Sequence, residues 1–460
     1  MRERLLAEAA TVRVPARCDV AVVGGSAAGL AAAVAAAEAG ARVVVLEAAP
    51  ECGRSILATG NGRCNLGNAR LDGPSPDWSP YNDPAFVAAV CGPTLGQDLR
   101  AFWEGCGLAV VEEGEGRLYP ASRQAASVRD VLLARARRAG ALLAPARAVT
   151  SLAPPGTQEP LGSLGTGPKD PTGPDGPDGP DDADGPAWRV GWEDGFGQGG
   201  AHELRARAVV VACGGGAGLL GALDTLGLAR NPWQPVLCPL ACEPETTAGG
   251  RAPLDLAPVD GRRAHVVAHL LRGGREVARE AGEALLRPWG VSGIVAFDLS
   301  RVAREGDVLE LDLTAGLDAT RAAALARAAG GLEGLVDPAI AHALEAAYAG
   351  NKDAAPGDAL DAALELARHL RLRVLGPAET DRAQVMRGGL LTSQFDPATL
   401  GARALPGLFA AGEALDVDAA CGGFNLSWSW ASGLVAGAAA ARDIGDSRQC
   451  HGPGEGGAPC

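Results

Sequence analysis

Lysine is nearly absent from this chain of 460 residues. Of its 41 Lys and Arg residues only Lys169 and Lys352 are lysines, and 55 acidic residues bring the net charge to −14. A field of that sign argues against nucleic acid as a partner, because neutralising phosphates takes clustered basic side chains. Histidine is scarce too: His202, His265, His269, His342, His369 and His451 are scattered outside the Gly-rich motifs, and none is a convincing general base. Cysteines number 11, yet no Cys-x-x-Cys pair occurs, and Cys238 and Cys242, the nearest neighbours, have no His cluster beside them. That pattern excludes structural zinc and a disulfide framework, and it fits a reducing cytoplasm. No basic segment followed by an apolar one opens the chain, so no secretory signal is expected. Two long uncharged runs remain, 20–37 and 419–441. The first carries Gly24, Gly25, Ser26 and Gly29 before a stretch of mostly Ala; the second has Gly, Asn, Ser and Trp throughout. Neither has the hydropathy of a membrane span.

What is abundant is Gly, with 65 residues, and it is concentrated where chemistry is expected. Residues 19–29 read Asp-Val-Ala-Val-Val-Gly-Gly-Ser-Ala-Ala-Gly, and a second apolar run, 43–46, ends in Glu47. An apolar strand, a tight Gly turn, an Ala-rich helix and a second strand ending in a carboxylate form the dinucleotide-binding βαβ fingerprint. Gly24 and Gly25 make the turn, and Gly29 lets the helix pack on the sheet. Ser26, Ala27 and Ala28 lie where the pyrophosphate meets the helix N-terminus, whose free amides favour an anion. Ser26 occupies the position that is usually the second Gly of the fingerprint. Glu47 is placed to accept hydrogen bonds from ribose hydroxyls, and its charge would repel a 2′-phosphate.

Fingerprint-like features recur at the far end of the chain, so a discontinuous nucleotide-binding domain is expected over 18–234 and 377–442. A β-rich insert (235–313) and a helical insert (314–376) would divide it. Residues 153–187 hold nine Pro, eight Gly and six Asp, with Gly-Pro-Asp repeated at 173–181. They read as a disordered, dispensable extension of the hairpin formed by 146–152 and 188–193. Residues 443–460 read as a frayed tail.

Further motifs surround the expected cofactor. The loop Gly60-Asn61-Gly62-Arg63-Cys64-Asn65 allows close backbone approach, and Arg63 brings charge to it. Ala212-Cys213-Gly214-Gly215 is a second such turn at a strand end. Gly412-Glu413-Ala414-Leu415-Asp416 places two carboxylates where a polyol such as a ribityl chain could bind. Gly422-Gly423-Phe424-Asn425-Leu426 enters an uncharged helix whose first amides could face a flavin N1/O2 edge. Taken with Gly290-Val291-Ser292-Gly293, this ordered set resembles the BaiN-like and aminoacetone-oxidase-like bacterial flavoproteins over about 18–440.

The resemblance implies an α/β fold: a Rossmann-like, discontinuous FAD-binding domain with inserted β-barrel-like and small helical domains. It implies one non-covalent FAD, with Arg54 and Val149 joining the residues named above as cofactor contacts. It implies an FAD-dependent oxidoreductase moving a hydride through flavin N5 between a small organic substrate, or NAD(P)H, and an acceptor. No second Gly-x-Gly-x-x-Gly occurs in the insert, so NAD(P)H would visit the flavin transiently. Cys64, as acid or thiol partner, Asn425, as flavin hydrogen-bonder, and Arg387, as anchor for an acidic substrate, are the catalytic candidates. Met386 and Arg387 depart from the family pattern before Gly388-Gly389, which bears on substrate identity. A flavin-dependent tRNA-modifying protein and a non-catalytic flavin-binding protein are the alternatives, and the sequence sets no oligomeric state.

Overall fold

Val20–Val23, Val43–Leu46 and Ala208–Val211 are apolar and, Leu46 apart, β-branched or small, and none is more than 4% exposed. Such runs suit strands covered on both faces. In the structure, a computed structural model describing residues 2–157, 186–195, 200–215, 219–245, 254–349 and 356–449, they form the centre of a seven-stranded sheet. Strand Arg17–Val23 lies parallel between Val43–Glu47 and Ala201–Val211, with Val20 opposite both Val43 and Ala208. Leu142–Pro145 adds to the outer side of Val43–Glu47. The strand Ala201–Val211 serves two neighbours along one edge. Its first half pairs antiparallel with Trp188–Asp194, which in turn pairs with Arg147–Ala153. Its last three residues pair parallel with Leu408–Ala410, returning from far along the chain.

Helix Ala27–Glu38 is apolar all round and almost wholly buried. One face meets the sheet and another meets the C-terminal helix Phe424–Gln449. That crossing is close: a Cβ on Gly433 would sit 2.3 Å from the Ala28 carbonyl oxygen, and one on Gly437 2.2 Å from that of Ala32. Small residues are therefore required on both sides. This explains why the second uncharged run is rich in Gly, Ala and Ser, and no described helix is long and apolar enough to cross a membrane. The helix continues to Gln449, so residues 443–449 are helical rather than a frayed tail. Residues 450–460, and 158–185 of the Pro-rich insert, lie outside the described residues.

The chain divides into two units, one of residues 1–233 and 386–460 and one of residues 234–385. In the second, six strands close a barrel in the order Leu240–Pro244, Gly290–Ser292, Arg275–Arg287, Arg263–Arg272, Val308–Asp312 and Leu370–Pro377. Leu370, Leu372 and Val374 are buried inside, while Arg371 and Arg373 point out. The final strand had been expected within a helical segment ending at 376. Its period-two pattern follows closely on the Ala- and Leu-rich helix Pro356–Arg368, and Leu recurs through both, which masks the change of period. Helices Ala319–Ala329, Pro338–Ala349 and Pro356–Arg368 share one hydrophobic core with the barrel, in which Ala322, Ile340, Leu344 and Ala363 join Leu309, Leu311 and Leu370. Barrel and helices are thus a single unit, and the chain returns to the first unit at 386 rather than 377.

Candidate functional site

The fingerprint turn is shaped by close backbone approach. Gly24 has φ +103°, and a Cβ there would lie 2.4 Å from the Ala212 carbonyl oxygen. A Cβ on Gly29 would lie 1.8 Å from the oxygen of Gly24, which fixes the helix against the turn. Glu47 closes the turn from the next strand. Its Oε2 accepts from Gly25 N at 2.6 Å and its Oε1 from Ala49 N at 2.6 Å. A carboxylate oxygen has two lone pairs, so capacity remains for ribose hydroxyls. Ser26 is the residue before the helix, with its side chain not capping it. Its hydroxyl is instead hydrogen-bonded to that of Ser55. Arg54, exposed, opens the short helix Arg54–Ala58 beside it. Ala27 and Ala28 are buried, and Gly412 presses on Ala28 from the returning strand end.

The second cluster joins the loop after Glu47 to the start of the C-terminal helix. Gly60, Asn61, Gly62 and Cys64 all have positive φ, from +54° to +83°. Gly423 packs against this segment, its absent Cβ falling 2.3 Å from Gly67 O and 2.7 Å from Asn65 Oδ1. Asn65 Oδ1 is buried with no hydrogen-bond partner among the described residues. Gly422 O accepts from Asn68 Nδ2 at 2.9 Å. Phe424 is buried edge-on against Tyr81, whose hydroxyl donates to Phe424 O. Leu426 follows, half-buried in the first turn.

The third cluster gathers around Glu413. Gly214 lies against its carboxyl group, and Gly215 against Met386. Removal from water pushes the Glu413 carboxyl up to about 7; hydrogen bonds from the backbone of Met386 and Gly215 oppose this, and the charge of Asp418 adds to it.

Several candidates are engaged elsewhere. Cys64 is fully buried, and burial pushes its thiol up to about 11 against a hydrogen bond from Thr59. It is a neutral packing group at pH 7, not a thiolate or ready acid. Asn425 has its amide taken up by the turn before the helix, Oδ1 accepting from Ala419 N and Nδ2 donating to Ala419 O, both at 2.8 Å. These bonds tie the start of the helix to the 419–420 backbone. Arg387 forms a two-pronged pair with Asp418, at 2.8 and 2.9 Å, and Asp418 is fully buried. Arg63 grips Glu113 and covers the Tyr119 ring instead of a ligand phosphate. Asp416 accepts from Asn231 Nδ2 and Gly388 N. Val149 sits buried in the antiparallel part of the sheet, opposite Trp192.

Two groups had no sequence signal. Ser55 has none in its own spacing, although the Ser in place of Gly at 26 calls for a compensating partner. Trp233 has a buried Nε1 that faces Gly389 and has no hydrogen-bond partner among the described residues, and a lone Trp in a Pro-flanked strand gives no hint of it.

These features suit FAD. Gly24 and Gly29, where a Cβ would strike backbone, keep the turn tight at the helix N-terminus, and the buried acceptor at Asn65 is of the kind that takes a flavin N–H. Glu413 stands at a strand end, where a polyol hydroxyl could reach it. The model of the HI0933-like protein Rossmann domain matches residues 18–159 and 198–439. The chain is 30% identical over 456 residues, 92% of its length and 98% of the relative's, to a 3-dehydro-bile acid delta(4,6)-reductase of Clostridium scindens. A 42% identity to the ribosomal RNA dihydrouridine synthase of Escherichia coli spans 50 residues, 11% of this chain and 12% of that one. Among solved structures, a 3-ketosteroid delta1-dehydrogenase from Sterolibacterium denitrificans is 12% identical with TM-score 0.48, covering 93% of this chain and 100% of that one. A 3-ketosteroid-delta4-(5alpha)-dehydrogenase from Rhodococcus jostii is 15% identical with TM-score 0.44, covering 94% and 98%. From the match over most of its length, the chain belongs to the HI0933-like Rossmann family and is an FAD-dependent oxidoreductase.

Proposed function

We propose that this flavoenzyme is a reductase, using NAD(P)H to saturate a carbon–carbon double bond conjugated to a ketone on an apolar polycyclic substrate. One observation carries the reading: 30% identity along nearly the full length of both chains to a protein named as a 3-dehydro-bile acid delta(4,6)-reductase. Reduction of such a bond adds a hydride at the far carbon of the conjugated system and a proton at the carbon nearer the carbonyl. Bound FAD supplies the hydride chemistry. The chain's own residues bind and orient. Glu47 would take the adenosine ribose, the amides at the start of helix Ala27–Glu38 the diphosphate, and Glu413 the ribityl chain. Asn65 Oδ1 would accept a hydrogen bond from the edge of the flavin ring. The second unit is a barrel with helices rather than a further parallel sheet, which agrees with a nicotinamide donor that visits instead of residing in its own domain.

The test is anaerobic steady-state turnover with NADH and NADPH, each with a 3-oxo-4-ene and a 3-oxo-4,6-diene steroid. Oxidation of the nicotinamide dependent on the steroid, with product two mass units heavier, is the expected outcome. Oxidation to peroxide in air with no reduced steroid under any condition would remove the reductase reading and leave the family assignment standing.

A further inference from the structure

The second Gly of the fingerprint normally lets the backbone approach the pyrophosphate, and this chain has Ser26 there. The substitution is not forced by conformation: Ser26 has φ −105°, which any residue adopts. A side chain at this place projects into space the diphosphate would use, unless its hydroxyl is itself directed there. The Ser26 hydroxyl does not cap the helix it precedes. It meets the hydroxyl of Ser55 in the short helix Arg54–Ala58, and the loop leading into that helix is tied down where Gly53 N donates to Gly25 O at 2.7 Å. That loop also presses Cys52 against Gly25, whose absent Cβ would fall 2.8 Å from its Sγ. Ser55 is exposed and Ser26 half-buried.

We propose that Ser26 and Ser55 form a two-hydroxyl clamp for the diphosphate of FAD, replacing the backbone contact of the missing glycine. In the free protein one hydroxyl donates to the other. With the cofactor bound, the Ser–Ser hydrogen bond gives way to one O–H donated by each serine to the diphosphate oxygens. Hydrogen bonds to a charged acceptor are the stronger kind, and the short helix holding Ser55 is already in place, so little ordering opposes them. Ser55 is thereby a cofactor-binding residue, outside the fingerprint, that comes from the short helix after Glu47.

The experiment titrates the full-length apoprotein with FAD, ADP, adenosine and riboflavin by calorimetry and flavin fluorescence. Ser55→Ala and Ser26→Ala are each expected to weaken FAD and ADP by about 10-fold or more, with adenosine and riboflavin unchanged. Ser55→Thr, which keeps the hydroxyl, should retain wild-type affinity. In the Ser55→Ala background, Ser26→Gly should bind FAD more tightly than Ser26→Ala, because it restores the backbone approach. Unchanged FAD and ADP affinity in Ser26→Ala/Ser55→Ala would overturn the proposal. So would an equal loss for adenosine and ADP, which marks a tether that merely shapes the loop. Wild-type affinity for FAD serves as the separate check on cofactor identity.

Discussion

At the scale of single residues, charge and burial decide which motif side chains can act. Glu413 is the sharpest case. Its folded carboxyl titrates near 7, against 4.5 for an ordinary Glu. Between those values the folded apoprotein keeps a proton that the unfolded chain has released. The folded state therefore binds more protons in this window, and stability falls as pH rises from about 4.5 to about 7. If a ribityl hydroxyl donates to the ionised form, FAD binding expels that proton and tightens over the same window. Glu413→Gln should flatten both profiles, as followed by apoprotein melting and by FAD titration from pH 5 to 8. Arg387 is expected to behave as a partner of a buried charge, not as a substrate anchor. Arg387→Ala leaves Asp418 buried without its guanidinium, and should destabilise by about 3–5 kcal/mol in urea unfolding. A change confined to KM would contradict this. Cys64→Ala should keep turnover, because a neutral thiol with no solvent access has no role to lose. Loss of activity with normal FAD content would reinstate thiol chemistry.

At the scale of elements, the strands and the fingerprint helix were legible, because their signals are local. Val20–Val23 and Val43–Leu46 are apolar without alternation, as doubly covered strands must be. The Gly turn and Glu47 follow at fixed spacing. Less legible was the direction of polar side chains within motifs. Asn425 and Arg63 lie in the expected loops, but their partners, the 419–420 backbone and Glu113, are decided by packing of segments remote in sequence or by the path of a turn. Nor does composition show why the C-terminal helix lacks charge from 424 to 441. The reason is its close crossing with helix Ala27–Glu38. Gly433→Ala tests it: helix propensity alone favours Ala by about 1 kcal/mol, yet the added carbon would meet Ala28 O at 2.3 Å. A net destabilisation of about 1–3 kcal/mol is expected in urea unfolding. A more stable variant would show that the crossing is loose.

At the scale of the molecule, the split of the first unit by an insert was readable because nucleotide-binding features recur at both ends. The place of return was not, since Leu370–Pro377 continues the recurrent Leu of helix Pro356–Arg368 while changing its period. Leu372 lies fully buried in the barrel, and Leu372→Ala should cost about 2–5 kcal/mol. All the proposed FAD contacts belong to the other unit, so that loss should appear in far-ultraviolet melting with FAD affinity unchanged. The most direct test of the proposed chemistry is an anaerobic single turnover, in which the holoenzyme is reduced by one equivalent of dithionite and mixed with a 3-oxo-4,6-diene steroid. Return of the oxidised flavin band together with one equivalent of steroid reduced at a ring double bond is the expected result. A flavin that stays bleached until oxygen is admitted, with the steroid recovered unchanged, would contradict it.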